Sequence, residues 1–353
     1  KNVLVSIVNT DPKCFWLTSF LETALLRAIW YPTTVASNSY HSKQIISAAL
    51  EKTGDPSLID FKLHDFGARG VSSQESAALG GMAHLINFRG TDTVSGILAA
   101  MEYYDADVCG FSIPAMEHST VTSWGRENES KAYSNMLKVY GKPGQPVAFV
   151  SDSYDIFNAC SNIWGVELKQ QVIDSGAVVV VRPDSGEPSE VVVKCLYLLE
   201  KHYGSTTNAK GFRVLNNVRI IQGDGINHAS IRSILFCMEL AGFSADNVAF
   251  GQGGALLQQI DRDTLEFAMK CSAAMINDTW IDVYKDPVTS SMKKSKKGRL
   301  MLVLDKESDR YVTRPLEYRT GLEDLLKTRF KDGVLYNETT FDQVCARALG
   351  DVH

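Results

Sequence analysis

Short, almost continuous runs of apolar and β-branched residues recur along the chain, each followed by glycine or polar residues and then by a helix-like stretch. The clearest runs are residues 147–150, 177–181, 218–221 and 248–250. Runs without polar alternation are typical of parallel strands that are buried on both faces. Amphipathic stretches such as 189–202 and 228–241 lie between them. Strand alternating with helix predicts an α/β fold.

The residues that follow the strands constrain the fold further. Six successive predicted strands end in loops of charged residues, hydroxyls and glycines, and these loops begin at residues 64, 114, 151, 182, 222 and 251. In an α/β barrel the C-terminal ends of all strands converge on one mouth, whereas a doubly wound open sheet uses only the loops near its switch point. We therefore predict an irregular parallel α/β barrel with its active site at the mouth, and keep an open sheet as the alternative.

The two ends of the chain lack this rhythm. We predict that the barrel covers residues 51–264, and that residues 1–50 and 265–353 form a flanking α+β domain with an exposed basic loop at 293–299. The chain begins with Lys1 rather than methionine, and residues 3–8 have the pattern of a strand. We therefore expect the N-terminal part of the flanking domain to be absent from this chain.

Charge and cysteine usage exclude several classes of protein. The net charge of −5 over 353 residues argues against a bulk attraction to nucleic acid or to an anionic membrane. The seven cysteines are scattered and never form a C-x-x-C pair, which is typical of free thiols rather than of a disulfide framework or a zinc site. No signal peptide or membrane-spanning run is visible in the sequence. We expect a cytoplasmic enzyme without a nucleic-acid or membrane partner.

Glycines dominate the last two strand exits. The stretch Gly-Gln-Gly-Gly at 251–254 lies between a strand and the apolar stretch 255–260. Glycines at such a position either let backbone N–H groups approach a phosphate at a helix start or form a tight turn. The preceding exit, Gln-Gly-Asp-Gly at 222–225, favours a phosphate site, because adjacent barrel loops often share one.

The charged exits allow two interpretations each. Arg182 and Asp184 either contact ribose hydroxyls and an acidic or carbonyl group of a ligand, or form a salt bridge at the barrel rim. The loop at 151–155 either contacts a ligand or caps the helix that follows it.

Four further residues have both a functional and a structural interpretation. His118 is a nucleophile or general base, or a structural residue at a helix start. His64 would suit a metal, but no second ligand stands at a useful spacing. Phe66 is part of the core or a stacking platform for an aromatic ligand. Asp92 is a helix cap or a hydrogen-bond acceptor.

Taken together, these stretches resemble the nicotinamide phosphoribosyltransferase family. The matching stretches, in the family's order and over essentially the whole chain, are residues 31–39, 64–75, 90–94, 117–120, 151–155, 182–186, 222–225, 270–272 and 295–300. Two positions depart from the family pattern. Ala255 replaces a third glycine, and Gln252 stands where serine is frequent.

The resemblance implies a reaction and a set of binding residues. The enzyme would join nicotinamide to phosphoribosyl pyrophosphate, giving nicotinamide mononucleotide and pyrophosphate. Phe66 would stack on the nicotinamide ring, and Asp92 would accept a hydrogen bond from the carboxamide and repel the carboxylate of nicotinate. The residues implied to hold the amide and ribose are Arg69, Arg182 and Asp184. Those implied for the 5′-phosphate are Gly223, Gly253, Gly254 and Arg262, with Asp224 in the same loop, and those near pyrophosphate are Lys270, Lys285 and Lys293.

The resemblance also implies a coupled reaction and a partner. ATP would phosphorylate His118, and Asp155 would orient that histidine. Mg²⁺ would be carried by the pyrophosphate oxygens. The family is a homodimer with shared active sites, to which the missing N-terminal region contributes a tyrosine and an arginine.

Three alternatives stay open at this point. One is a nicotinate phosphoribosyltransferase, against which Asp92 argues. Another is a barrel isomerase or aldolase acting on a phosphosugar, which would normally need a Schiff-base lysine or a catalytic carboxylate at a strand end. The last is a truncated, non-catalytic relative that only dimerises.

Overall fold

The computed structural model describes residues 1–289 and 294–350, which divide into two compact units. The larger unit contains Tyr31–Asp261 and the segment from Thr340 onward, and the smaller unit contains Lys1–Trp30 and Arg262–Thr339. The larger unit starts before the predicted boundary at residue 50, because Ile46 and Leu50 of the first long helix are buried in its main core. The predicted division of the chain into a barrel domain and a flanking domain stays a prediction.

The larger unit alternates strands with helices. Its strands are β1 (Leu63–Asp65), β2 (Gly90–Thr91), β3 (Pro146–Val150), β4 (Val178–Arg182), β5 (Ser205–Thr207), β6 (Arg213–Leu215), β7 (Val218–Gln222) and β8 (Val248–Gln252). Its helices are α1 (Leu17–Thr53, which begins in the smaller unit), α2 (Gln74–His84), α3 (Val94–Tyr104), α4 (His118–Thr122), α5 (Glu129–Tyr140), α6 (Ile156–Asn158), α7 (Lys169–Ser175), α8 (Pro188–Tyr203), α9 (His228–Leu240), α10 (Gly254–Leu257) and α11 (Phe341–Leu349). A π-helix, Ala159–Glu167, continues α6.

Six of these strands form one parallel sheet in the order β2-β1-β8-β7-β4-β3. Residues 111–116, the closing segment, join the two edges of this sheet. Phe111 pairs with Gly90 of β2, and Ala115 pairs with Ala148 of β3. The backbone N–H of Ala148 donates to the carbonyl of Pro114 at 2.9 Å. The ring of pairings is therefore closed, which confirms the predicted irregular parallel α/β barrel. The predicted strand that ends before the loop at residue 114 pairs only through the single bridge at Phe111.

Alternate residues of β4 face two different layers. Val179 and Val181 of β4 belong to the large core between the strands and the outer helices. Val180 between them packs with Ala148 and Ile221 in a small cluster of its own. This period of two is what the pleat of a strand produces. The second cluster fills the inside of the barrel, so the barrel is a packed core rather than a pore.

The outer helices follow from local signals in the sequence, as α8 illustrates. Pro188 occupies its first turn, and the Glu187 side chain accepts a hydrogen bond from the backbone N–H of Glu190. Apolar residues recur on one face and are buried against the strands. The helix ends at Gly204, whose φ of +70° suits glycine.

The smaller unit is built from antiparallel ribbons. Its strands are β9 (Ala273–Ile276), β10 (Thr279–Asp282), β11 (Leu300–Asp305), β12 (Arg310–Pro315), β13 (Phe330–Lys331) and β14 (Val334–Leu335). They pair as β9 with β10, β11 with β12 and β13 with β14. The strand predicted at residues 3–8 is wrong. The backbone N–H of Val3 donates to the Thr313 hydroxyl at 2.9 Å, so this segment contacts β12 through a side chain instead of a ladder. Among the described residues, no helix combines the length and hydropathy needed to cross a membrane.

Candidate active site

Parallel strands bring the predicted exit loops of the larger unit to one end of the barrel, the mouth. Phe66, directly after β1, lies in this mouth with its ring against Gly251 of β8. A methyl group at position 251 would come within 1.9 Å of Phe66 Cε2, so only glycine admits the ring. The guanidinium carbon of Arg182 lies 5.0 Å from the centroid of the same ring. Phe66 is therefore a ring at the mouth with a cation beside it.

Arg182 and Asp184 form a paired group next to this ring. The guanidinium donates three hydrogen bonds to the carboxylate, at 2.9, 3.0 and 3.2 Å, and both side chains are partly buried. A Cβ added to Gly223 would lie 3.2 Å from both Asp184 Oδ1 and Phe66 Cε2. The predicted salt bridge at the rim is thus present, and it lies beside the aromatic platform and the glycine loop after β7.

Asp92, directly after β2, is held on one oxygen. Its Oδ1 lies 2.9 Å from His64 Nε2 and accepts a hydrogen bond of 2.6 Å from the Ser112 hydroxyl of the closing segment. Burial acts to raise the pKa of Asp92, but the hydrogen bonds and charge of His64, with Ser112 and Arg182, outweigh it and lower that pKa below its ordinary value. Asp92 is an ionised acceptor. The His64 ring lies 5.1 Å from that of Phe66, so Asp92 and Phe66 belong to one site.

A buried histidine supports this group from below. His84, at the end of α2, is fully buried, with Nδ1 2.9 Å from the Ser39 hydroxyl and Nε2 3.2 Å from the carbonyl oxygen of Gly90. Burial, with the nearby His64, lowers the pKa of His84 to about 3, so the ring is neutral. Gly90 in turn leaves room for His64, since a Cβ there would lie 2.7 Å from His64 Nδ1.

His118 begins α4 and is half exposed at the mouth. Its Nε2 lies 2.9 Å from Asp152 Oδ1, and Asp152 Oδ2 accepts a hydrogen bond of 2.7 Å from the Ser185 hydroxyl. The orienting role expected for Asp155 stays a prediction, and in the structure this residue has a different partner. Asp155 caps α6, because its carboxylate accepts from the backbone N–H groups at the helix start, at 2.9 and 3.0 Å.

The remaining predicted residues lie in several places. Arg69 is exposed in a short 3₁₀ turn after Phe66, Asp224 is exposed in the loop after β7, and Gly253 precedes α10, which starts at Gly254. Three predicted cations belong to the smaller unit: Arg262 pairs with Asp263 at 2.7 Å, Lys270 pairs with Glu22 at 2.8 Å, and Lys285 is exposed. Lys293 lies outside the described residues.

Three residues of the site, Ser112, Asp152 and Ser185, were not singled out in the sequence-based prediction, and His64 was weighed only as a metal ligand. The described residues hold no group of three histidine, cysteine or acidic side chains placed for a metal. His64 was detectable, because the period of two in a strand puts it on the same face as Phe66. Ser112 and Ser185 carry no comparable signal.

Comparison with known proteins identifies relatives of this chain. The model of the nicotinate phosphoribosyltransferase (NAPRTase) family matches residues 61–334. The nicotinamide phosphoribosyltransferase of Xanthomonas campestris pv. campestris (strain 8004) is 54% identical over 98% of this chain and 75% of its own length. That of Acinetobacter baylyi (strain ATCC 33305 / BD413 / ADP1) is 32% identical over 98% of this chain and 72% of its own length.

A solved structure shares the fold. The crystal structure of nicotinate-nucleotide pyrophosphorylase from Pyrococcus furiosus superposes with a TM-score of 0.62 at 16% identity, over 93% of this chain and 72% of that one. This likeness shows a shared fold. The sequence matches identify the chain as a phosphoribosyltransferase, a pentosyl-transferring enzyme, and the chain belongs to the nicotinate phosphoribosyltransferase (NAPRTase) family.

Proposed function

We propose that this enzyme transfers the phosphoribosyl group of phosphoribosyl pyrophosphate to nicotinamide, the first step of NAD salvage. The observation that carries the proposal is the ionised Asp92, which is linked through His64 to the Phe66 ring at the mouth. A pyridine ring stacks on Phe66, and its carboxamide N–H donates to Asp92. Nicotinate would place a carboxylate against the Asp92 carboxylate, which costs energy through repulsion and unpaired desolvation.

In the proposed reaction the pyridine nitrogen attacks ribose C1. The bond from C1 to the pyrophosphate oxygen breaks, and its electron pair leaves with pyrophosphate. The positive charge that develops on the ribosyl group is stabilised electrostatically rather than by a protein nucleophile. Asp184 accepts from the ribose hydroxyls, and Mg²⁺ arrives on the pyrophosphate oxygens as part of the substrate. The glycine loops at 223 and 253–254 bind the 5′-phosphate. The phosphate-binding roles of Arg262, Lys270, Lys285 and Lys293 rest on the family resemblance alone.

We also propose that ATP phosphorylates His118. Asp152 engages Nε2 at 2.9 Å, which favours the tautomer with its proton on that nitrogen and leaves the Nδ1 lone pair for attack. Nδ1 would form a bond to the γ-phosphorus while the bond to the β-phosphate oxygen breaks and ADP leaves. Hydrolysis of the phosphohistidine would then drive product formation. A cytoplasmic homodimer with shared sites is part of the same proposal.

A specific observation keeps nicotinate as a second candidate substrate, since the matching family model describes nicotinate phosphoribosyltransferases. The deciding assay supplies phosphoribosyl pyrophosphate and Mg²⁺ with nicotinamide or nicotinate in parallel, with and without ATP. The proposal expects mononucleotide from nicotinamide, increased by ATP. His118→Ala should abolish ATP hydrolysis and spare some ATP-independent transfer. Faster turnover of nicotinate, or no product from either base, would overturn the proposal.

A further inference from the structure

The two oxygens of Asp92 have different surroundings. His64 and Ser112 both contact Oδ1, at 2.9 and 2.6 Å. Two contacts use the two lone-pair directions of one carboxylate oxygen. Within residues 1–289 and 294–350, no side chain or backbone group is hydrogen-bonded to Oδ2. The Asp92 side chain is about half exposed, at 51%, so Oδ2 is the oxygen left for a ligand.

The groups that engage Oδ1 are themselves fixed. The His64 side chain is only 13% exposed and lies over Gly90, where a side chain would displace it. Ser112 comes from the closing segment, whose backbone is paired with β2 at Phe111. Asp92 is thus held by β1 and by the closing segment, and rotation of its carboxylate would break both contacts.

From this geometry we infer that His64 and Ser112 are positioning residues that set base specificity by presenting Asp92 Oδ2 as a single, fixed acceptor. This inference rests on the proposed use of a pyridine base at Asp92. A fixed, ionised acceptor suits the N–H of a carboxamide. A carboxyl group that takes up a proton would donate a hydrogen bond to nicotinate, and a carboxylate that rotates freely would no longer hold a fixed acceptor for the amide. The preference for the amide would fall in both cases.

The charged and titratable neighbours of His64 support this assignment. They are Asp92 after β2, Asp65 on β1 and His84 on α2, and Arg182 of β4 also acts on Asp92. Burial raises the pKa of Asp65, whose Oδ1 already accepts from the backbone N–H of Gly67 at 2.7 Å. Asp92 is therefore the carboxylate that His64 serves through a direct hydrogen bond.

The test compares two replacements of His64 that differ in one property. The side-chain N–H of His64→Gln can still donate to Asp92, whereas His64→Met has similar bulk and no donor. With phosphoribosyl pyrophosphate saturating, we expect His64→Met to raise KM for nicotinamide roughly tenfold, the value of one charge-assisted hydrogen bond, with a much smaller change in kcat. The ratio of nicotinamide to nicotinate turnover should fall by a similar factor, and His64→Gln should restore most of both.

Ser112→Ala gives an independent test on the other donor. Ser37→Ala is its matched control, since that exposed hydroxyl donates to the Thr33 carbonyl on the α1 surface. Ser112→Ala should shift KM and base selectivity in the same direction as His64→Met, and Ser37→Ala should not. If the unmodified enzyme prefers nicotinamide and His64→Met leaves KM and base selectivity unchanged, the inference about His64 is overturned while the proposed function stands. A parent that does not prefer nicotinamide would overturn the proposed function instead. If His64→Met unfolds, the Ser112→Ala result decides the question.

Discussion

The two ends of the barrel use cations in opposite ways. At the end where strands begin, the ammonium group of Lys62 is buried and donates to the backbone carbonyls of Ala245, Asp246 and Val248, at 3.1, 3.0 and 2.9 Å. At the mouth, Arg182 pairs with the side chain of Asp184 and faces the Phe66 ring. Backbone carbonyls are fixed by the fold, whereas a side-chain carboxylate can turn toward a ligand. The first arrangement stabilises the fold, and the second leaves a cation available for chemistry.

The largest expected effect is the loss of Arg182 from the mouth. Arg182→Ala should lower kcat/KM by about 100-fold, since a charged hydrogen-bonding group contributes up to about 3 kcal/mol. Its urea unfolding midpoint should change little, because the guanidinium is bonded to a side chain at the mouth rather than to the backbone of the core. The matched control is Arg89→Ala. Arg89 lies just before β2, and its exposed side chain is paired with Asp60. Equal activity in both variants would contradict the comparison.

The opposite result is expected for the buried lysine. Lys62→Met leaves three carbonyl oxygens without their donor and should lower the free energy of unfolding by about 2–3 kcal/mol. The folded fraction should keep its turnover. The control, Lys52→Met, removes an exposed lysine paired with Glu239 and should cost less than about 1 kcal/mol. Urea unfolding curves measure both. A large loss of kcat in folded Lys62→Met would mean that the two ends are not separate in function.

The pH dependence of stability tests the comparison further, because His84 is buried and neutral just beneath the mouth. Its folded pKa of about 3 lies below the ordinary value of 6.5, so between these values the unfolded state binds a proton that the folded state does not. Stability is therefore lost as pH falls through this window. His84→Gln should reduce the loss of unfolding free energy between pH 7 and pH 5 by about 2 kcal/mol. His41→Gln, on the exposed part of α1, is the control. If the unfolding free energy of His84→Gln fell with pH in parallel with that of the unmodified protein, His84 would be protonated in the folded protein over this range.

The barrel was predictable because its signal is repeated. Four strands, β3, β4, β7 and β8, lie within one or two residues of the apolar runs, and α8 and α9 lie where the amphipathic stretches predicted helices. The closure was less predictable. β2 has only two residues, and the closing segment pairs through single bridges, so neither offers a run long enough to detect.

The partners within the site were harder to predict than its location. Asp152 and Asp155 stand three residues apart in the same polar loop, and either could have oriented His118. The choice follows from where the chain turns into α6, because the carboxylate at the turn is used as a cap. Ser112 comes close to Asp92 only because the closing segment crosses to β2, a contact between residues twenty positions apart.

The closing segment has a consequence for the way the barrel opens. Regular strands such as β3 and β4 share five paired positions, whereas this segment holds its neighbours through one bridge on each side. Local opening follows the weakest cooperative unit, so amide hydrogens here should exchange before those of any regular strand. His118 and Ser112 are both attached to this stretch of chain. The part of the wall that opens most easily thus carries Ser112, one of the two donors to Asp92, and leads directly into α4, which begins with His118.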